Sequence, residues 1–338
     1  MSTSGIAILL FFLSISLSYG QYDVIRLCTY NLDGFDASQT DSQHFEDLKL
    51  VLKTACPRLL VIQGIQGRAG FERLHVIVRE VFKDHLDSAT FYIDSESDTQ
   101  FALWYDPRDF RFREVIGIPT APRHCGMYHF GRTEPSLNGT FRETSFYVIT
   151  GDLNPGKNDS DIAVRRAAGK LLYDAIDTHI WRTQRDPRNA MFVVAGTLNA
   201  YSNEDPAYSE LATWRINSKY LFHPVDRMEA WTGDTTYPWV YTSSSRAEDG
   251  GIRERLDVIL MNGWYQVWNS YRVLGNDSAH YGKPVTALPN TMVTDSVALA
   301  LEHVSRHLPV YVDLKFITNK PLSVENTTPW KGSILNLW

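Results

Sequence analysis

The chain has 338 residues, 43% of them hydrophobic, and carries a formal charge of −6 from 39 acidic and 33 basic side chains. That apolar fraction excludes a disordered chain. The acidic balance gives no support for broad affinity for nucleic acid, which rests on neutralising phosphates, although a local basic strip can still serve an acidic enzyme. Three cysteines, Cys28, Cys56 and Cys125, exclude a full disulfide framework and leave either one bridge and a free thiol or three thiols.

The first segment stands apart from the rest. Ile6 to Leu17 is an apolar run broken only by serines, too short to span a bilayer comfortably. Ser18-Tyr19-Gly20 then places small residues at the two positions a signal peptidase reads, although no Lys or Arg precedes the run. Residues 1–20 are therefore expected to be a signal peptide, cleaved before Gln21. In a secreted chain the sequons at Asn138, Asn158, Asn276 and Asn326 are expected to be glycosylated on surface loops.

Tyr22–Tyr30 alternates and is rich in β-formers, which predicts a strand. Phe45, Leu48, Val51 and Leu52 recur at helical spacing within His44–Ala55. Pro57 stops that helix, Leu59–Ile62 is a short apolar strand, and Phe71–Phe82 is a second helix. Phe101–Tyr105 and Phe110–Ile116 flank Asp106-Pro107 and predict a hairpin. Strands follow at Thr144–Thr150, Ala190–Ala195, Leu256–Met261 and Leu308–Phe316, with a long helix over Ile162–Trp181. Residues 264–303 show few regular signals. The tail, residues 319–338, is polar with no terminal apolar block, so no membrane anchor is expected. With no repeat and no long linker, residues 21–318 are expected to form one domain.

The order of these segments carries more than each alone. A strand ends in Asn31-Leu32, and the next is Pro57-Arg58-Leu59-Leu60-Val61-Ile62-Gln63. Asp152-Leu153, a helix containing Arg166, Val193-Val194-Ala195-Gly196-Thr197-Leu198-Asn199, Arg255-Leu256-Asp257 and Ser305-Arg306-His307-Leu308-Pro309-Val310 follow. This resembles the endonuclease/exonuclease/phosphatase family, the group of deoxyribonuclease I and the sphingomyelinases, over nearly all of the chain after residue 20. The resemblance implies an α/β fold, a four-layered sandwich of two packed mixed sheets flanked by helices, with a site at the strand ends. It also implies phosphoester hydrolysis with Mg²⁺, hard oxygen ligands, a histidine–carboxylate pair and donors around the phosphoryl oxygens.

Matched position by position, the family's pattern is retained at Asn31, Asn199, Asp257 and His307. It is lost at four others. Gly64 stands where a metal-binding Glu is expected, and Asp152 where a phosphate-contacting His is expected. Thr197 replaces the Asp of the Gly-Asp-x-Asn turn, and Arg306 replaces the Asp of Ser-Asp-His, placing a cation where the ion's ligand belongs. A second register would use Gly151-Asp152-Leu153-Asn154 as that turn. It is less favoured because the Arg166 helix follows it and Val193–Asn199 then falls where the later turn belongs.

These losses predict that Gly64, Asp152, Thr197, Asn199, Asp257 and Arg306 surround His307 in one cleft without a resident metal. His307 is then a core histidine braced by Asp257 or Asn199 rather than a base. Asp152 with Asp257 offers too few acids for a new ion site. Arg165-Arg166 reads as a solvated helix face, and Trp231, Tyr237, Trp239 and Tyr241 as aromatics packed under a loop rather than a stacking platform. His124, His280 and His303 lack ligand spacing with one another. The expected function is that of a secreted glycoprotein, catalytically inactive, acting as an extracellular binding or matrix component with a protein or matrix partner, without a cofactor and without nucleic acid. The alternatives are a divergent Mg²⁺-dependent phosphodiesterase or nuclease with a rebuilt site, and a purely structural glycoprotein.

Overall fold

The computed structural model describes residues 21–38, 41–92, 100–135, 141–181, 190–212, 221–222, 231–263, 266–287 and 289–318. The expected signal peptide, the tail, Asn138 and Asn326 lie outside the described residues.

In chain order the elements are β1 (Gln21–Phe35), α1 (Ser42–Ala55), β2 (Leu59–Ile65), α2 (Gly67–Phe82), β3 (Asp87–Ser88), β4 (Gln100–Tyr105), β5 (Arg111–Ile118) and β6 (Cys125–Pro135). There follow β7 (Phe141–Gly151), α3 (Asp159–Ile176), β8 (Met191–Thr197), α4 (Pro206–Ala212), β9 (Leu221–Phe222), β10 (Asp257–Asn262), β11 (Arg272–Val273), α5 (Asp295–Val304) and β12 (Val310–Thr318). They form two mixed sheets, ordered β11-β12-β1-β2-β4-β3 and β5-β6-β7-β8-β10-β9. Inner-face side chains such as Leu27, Val61 and Leu103 from one sheet and Tyr128, Val148 and Val193 from the other share one buried core. Each aliphatic side chain buried there contributes about 1.5–3 kcal/mol. The outer faces are covered by α1, α2 and α5 on one side and by α3 and α4 on the other, giving the four layers the resemblance implies.

Local chemistry explains the element ends. Asp41 caps α1 by accepting from the Gln43 amide at 2.9 Å, and Asn158 caps α3 through the Asp161 amide at 2.9 Å. The predicted hairpin around Asp106-Pro107 does not form. β4 belongs to the first sheet and β5 to the second, so the turn crosses between layers. The buried Asp106 and Asp109 bind Arg58, Arg108 and Arg132 there and hold the chain across the gap. β6 gave no clear strand pattern because glycines interrupt it. Gly126 is required by the Phe101 ring, which lies 2.3 Å from where a Cβ would stand. α5 falls inside the segment with few signals. Its polar Glu302 and His303 follow a stretch apolar on nearly every side, which blurs the period.

Among the described residues no helix is long and apolar enough to cross a membrane. The three cysteines are free thiols. Cys28 and Cys125 are buried in different sheets, and burial pushes both up to about 12.

Candidate functional site

The parallel pairs β1–β2 and β7–β8 end at the same edge where the antiparallel β10 and β12 begin. Side chains from six segments therefore converge there, the usual place for a ligand site in α/β sheets. Two glycines bring them close. A Cβ on Gly196 would stand 2.5 Å from the Gly151 carbonyl oxygen, so β7 and β8 approach tightly and Asp152 lies beside Thr197. Gln63 crosslinks the sheets below, its Nε2 donating to Thr29 Oγ1 at 2.9 Å and to Thr150 Oγ1 at 2.8 Å.

A buried hydrogen-bonded chain forms the floor. Asn31 Nδ2 donates to Thr197 Oγ1 at 2.9 Å, and Thr197 Oγ1 donates to Asp257 Oδ1 at 2.6 Å. The second oxygen of Asp257 lies 2.8 Å from His307 Nδ1. His307 is held from behind as well. Ser305 Oγ accepts from the His307 amide at 3.1 Å and donates to the Asn31 carbonyl at 2.7 Å. Burial works against a charged ring at His307, but the Asp257 carboxylate outweighs it and the pKa is raised above 6.5.

Two guanidinium–carboxylate pairs stand above this floor. Arg306 binds Asp33 through both forks, Nη2 to Oδ1 at 2.7 Å and Nε to Oδ2 at 2.5 Å. Burial would raise the Asp33 pKa, but Arg306 prevails and holds it below 3.8. Across the pocket Arg123 Nη1 lies 2.7 Å from Asp152 Oδ2, while Asn199 Nδ2 donates to Asp152 Oδ1 at 3.1 Å. There burial prevails over Arg123 and pushes Asp152 up to about 6.

Of the residues singled out from the sequence, Asn31, Asp152, Asn199, Arg306 and His307 line one cavity of about 300 Å³. Thr197 and Asp257 lie beneath it, joined to it through Asn31 and His307. Gly64 is backed against the β1 end, with φ +72° and a built Cβ only 2.4 Å from Asn31 Oδ1. The backbone has closed over the place a longer side chain would need. Asn154, the partner in the second register, turns to Asp161 Oδ1 at 3.0 Å and does not line the cavity.

Two sequence expectations, at Asn276 and Arg165, need correction, while Asn158 lies at the surface and the aromatic group packs as expected. Asn276 is buried, and its Nδ2 donates to the Pro238 and Tyr241 carbonyls at 2.8 Å each, leaving no exposed amide for a glycan. Asn158 is exposed at the start of α3. Arg165 is not a solvated residue. It is 1% exposed and binds Asp205 with Nη2–Oδ2 2.7 Å, while Nη1 donates to the Gly156 carbonyl at 2.7 Å. Trp231 and Tyr241 are buried, with Arg255 lying 4.7 Å over the Trp231 ring, and Tyr237 and Trp239 pack on the core. Asp33 and Arg123 were missed. Asp33 had a faint signal two residues beyond Asn31. Arg123 lies in a turn before β6 and is brought to Asp152 only by the pairing of β6 with β7.

A divalent ion does not fit this donor set. Among the described residues no three His, Cys, Asp or Glu side chains group as ligands. The guanidiniums of Arg306 and Arg123 already neutralise the two acids nearest the floor.

No family model and no curated protein sequence matches the chain. Solved structures do. Truncated TDP2 of Caenorhabditis elegans is similar at 12% identity and TM-score 0.53, covering 86% of this chain and 97% of that one. The human Nocturnin catalytic domain with bound sulfate is similar at 13% identity and TM-score 0.53, covering 88% and 98%. An endonuclease/exonuclease/phosphatase family protein of Bacteroides thetaiotaomicron matches at 14% identity and TM-score 0.52 over 88% and 99%. The chain has the fold of the endonuclease/exonuclease/phosphatase superfamily. At these identities the likeness concerns the superfamily's architecture, and the chemistry must be argued from the pocket.

Proposed function

We propose that this protein is a secreted glycoprotein that uses the superfamily fold for binding at the extracellular face and does not hydrolyse phosphoesters. The observation that carries this is the bidentate Arg306–Asp33 pair, which sets a fixed cation beside His307 where a hydrolase of this fold would need an exchangeable one. His307 keeps its carboxylate partner. Among the described residues no ligand group could hold an ion to polarise a water or a phosphate, so that dyad serves to brace the pocket floor. Arg123 and Arg306 in the cavity lining are already held by Asp152 and Asp33, so they are not free to neutralise the phosphates of a nucleic acid. The partner is an extracellular protein or matrix component, and no cofactor takes part.

Purified chain is assayed with double-stranded DNA and a p-nitrophenyl phosphodiester in Mg²⁺ or Mn²⁺, with Mn²⁺ binding followed by electron paramagnetic resonance. No turnover and no bound Mn²⁺ are expected. Metal-dependent turnover that disappears in His307→Ala would establish the divergent hydrolase instead.

A further inference from the structure

The cavity has a charge pattern that narrows what it accepts. Four carboxylates, Asp33, Asp152, Asp249 and Glu254, share its lining with three guanidiniums, Arg123, Arg253 and Arg306, and one imidazole, His307. Three of the four carboxylates are matched to a cation, while Arg253, among the described residues, reaches only the Asp249 carbonyl oxygen, at 3.5 Å. Asp33 binds Arg306, Asp152 binds Arg123, and Glu254 binds Lys157 at 2.6 Å just outside the lining. Asp249 accepts from Ser244 Oγ at 2.9 Å.

At either the Arg306–Asp33 or the Arg123–Asp152 pair an anionic ligand would have to take a guanidinium from a carboxylate, and a cation the reverse. Either exchange leaves a partly buried charge without its partner, which is costly. Arg253, the remaining guanidinium, shares the lining with the acids Asp249 and Glu254, which oppose an anion there. An apolar ligand has little to contact, since Leu256 and Pro155 are the aliphatic side chains of the lining. Tyr201 is covered by Lys157, whose Nζ lies 4.5 Å over its ring.

What remains is a neutral ligand rich in both donors and acceptors. A guanidinium and a carboxylate side by side offer a donor next to an acceptor, the complement of two adjacent hydroxyls, each of which can accept and donate. The pocket lining has two such pairs, Arg306–Asp33 and Arg123–Asp152, and the Asn199 amide donates to the second carboxylate. The Arg306–Asp33 fork is partly open, with side-chain exposures of 48% and 27%. A volume of about 300 Å³ is at the small end of ligand sites, which run ~300–1,000 Å³, and suits one sugar ring rather than a chain. We infer that this pocket binds a neutral hexose-sized carbohydrate, gripped through vicinal hydroxyls by the Arg306–Asp33 and Arg123–Asp152 forks. The inference rests on the proposal that the site is a binding pocket and not a metal-dependent hydrolase.

The full chain, without added metal, is titrated with D-glucose, D-galactose, D-mannose and N-acetyl-D-glucosamine by ligand-observed NMR, with inorganic phosphate in parallel. At least one neutral sugar is expected to saturate with Kd on the order of 1 mM, about −4 kcal/mol. Arg123→Gln and, separately, Arg306→Gln should each weaken it about tenfold with the thermal unfolding midpoint retained. Arg306 is 48% exposed and its loss spares the pocket floor, so that variant keeps the test open if Arg123→Gln fails to fold. Saturation by none of the sugars, equal binding by both variants, or phosphate binding tighter than every sugar would each overturn the inference. Metal-dependent hydrolysis in the assay above would remove the proposed function together with this one. Absence of both hydrolysis and sugar binding removes this inference alone.

Discussion

Replacing Asp257 by Asn tests the floor of the pocket without changing its shape. The carboxylate lies 2.8 Å from His307 Nδ1, and the ring is buried. Removing one opposite charge at this range shifts a pKa by ~1–3 units. The desolvation that Asp257 overcomes stays in place, so His307 should fall from above 6.5 to below it. Geometry points the same way. The Asn oxygen keeps the Thr197 hydroxyl, which turns the new amide NH₂ toward His307 Nδ1, and only a neutral ring can accept from it. The sign for stability follows from linkage. A histidine raised in the fold contributes stability that is fully present below 6.5 and is lost as pH rises through the folded value. At ~1.4 kcal/mol per unit, Asp257→Asn should cost roughly 1.4–4 kcal/mol more at pH 5 than at pH 9. The ring is followed by heteronuclear NMR titration, and stability by urea unfolding at the two pH values. Identical titration of His307 in the two proteins would refute the assignment of its proton to the Asp257 carboxylate.

Arg306→Ala should change stability by less than about 1 kcal/mol, because its partner is partly solvated, while the Asp33 pKa rises once burial acts without the guanidinium; carboxylate NMR reads the shift. Arg165→Met should cost about 3–5 kcal/mol by leaving the Asp205 carboxylate buried without its cation, measured by denaturant unfolding. Gly64→Ala should cost ~1–3 kcal/mol, because a Cβ at φ +72° meets the Asn31 side chain. For the same reason Gly64→Glu with Arg306→Asp should not create a Mg²⁺ site unless the β1 end moves, which calorimetric titration checks. Asp152, held up at about 6, should lend stability that is complete below 3.8 and lost as pH rises through 6. Asp152→Asn should therefore flatten that part of the pH–stability profile.

The helical period of Phe45, Leu48, Val51 and Leu52, the apolar run of Leu59–Ile62 and the closing Leu308–Phe316 strand were legible because burial on one face leaves a repeat in the residues themselves. Their order, together with Asn31, Asn199, Asp257 and His307, was enough to anticipate a two-sheet sandwich and the strand-end position of the site. Partners separated widely in sequence were not legible, because no local pattern records a contact made across layers. Arg123 meets Asp152 only through the β6–β7 register, and Arg165 meets Asp205 only because α3 packs on α4. β4 and β5 look like a hairpin by alternation, yet buried ion pairs at Asp106 and Asp109 send them to different sheets. Residue types alone marked the departures from the family's pattern at Gly64, Thr197 and Arg306. Tertiary structure decided what stands at those positions: a hydroxyl that relays between Asn31 and Asp257, a backbone closed over Gly64, and a guanidinium fastened to Asp33. Charge pairing depends on distance through space, and only the folded chain sets that distance.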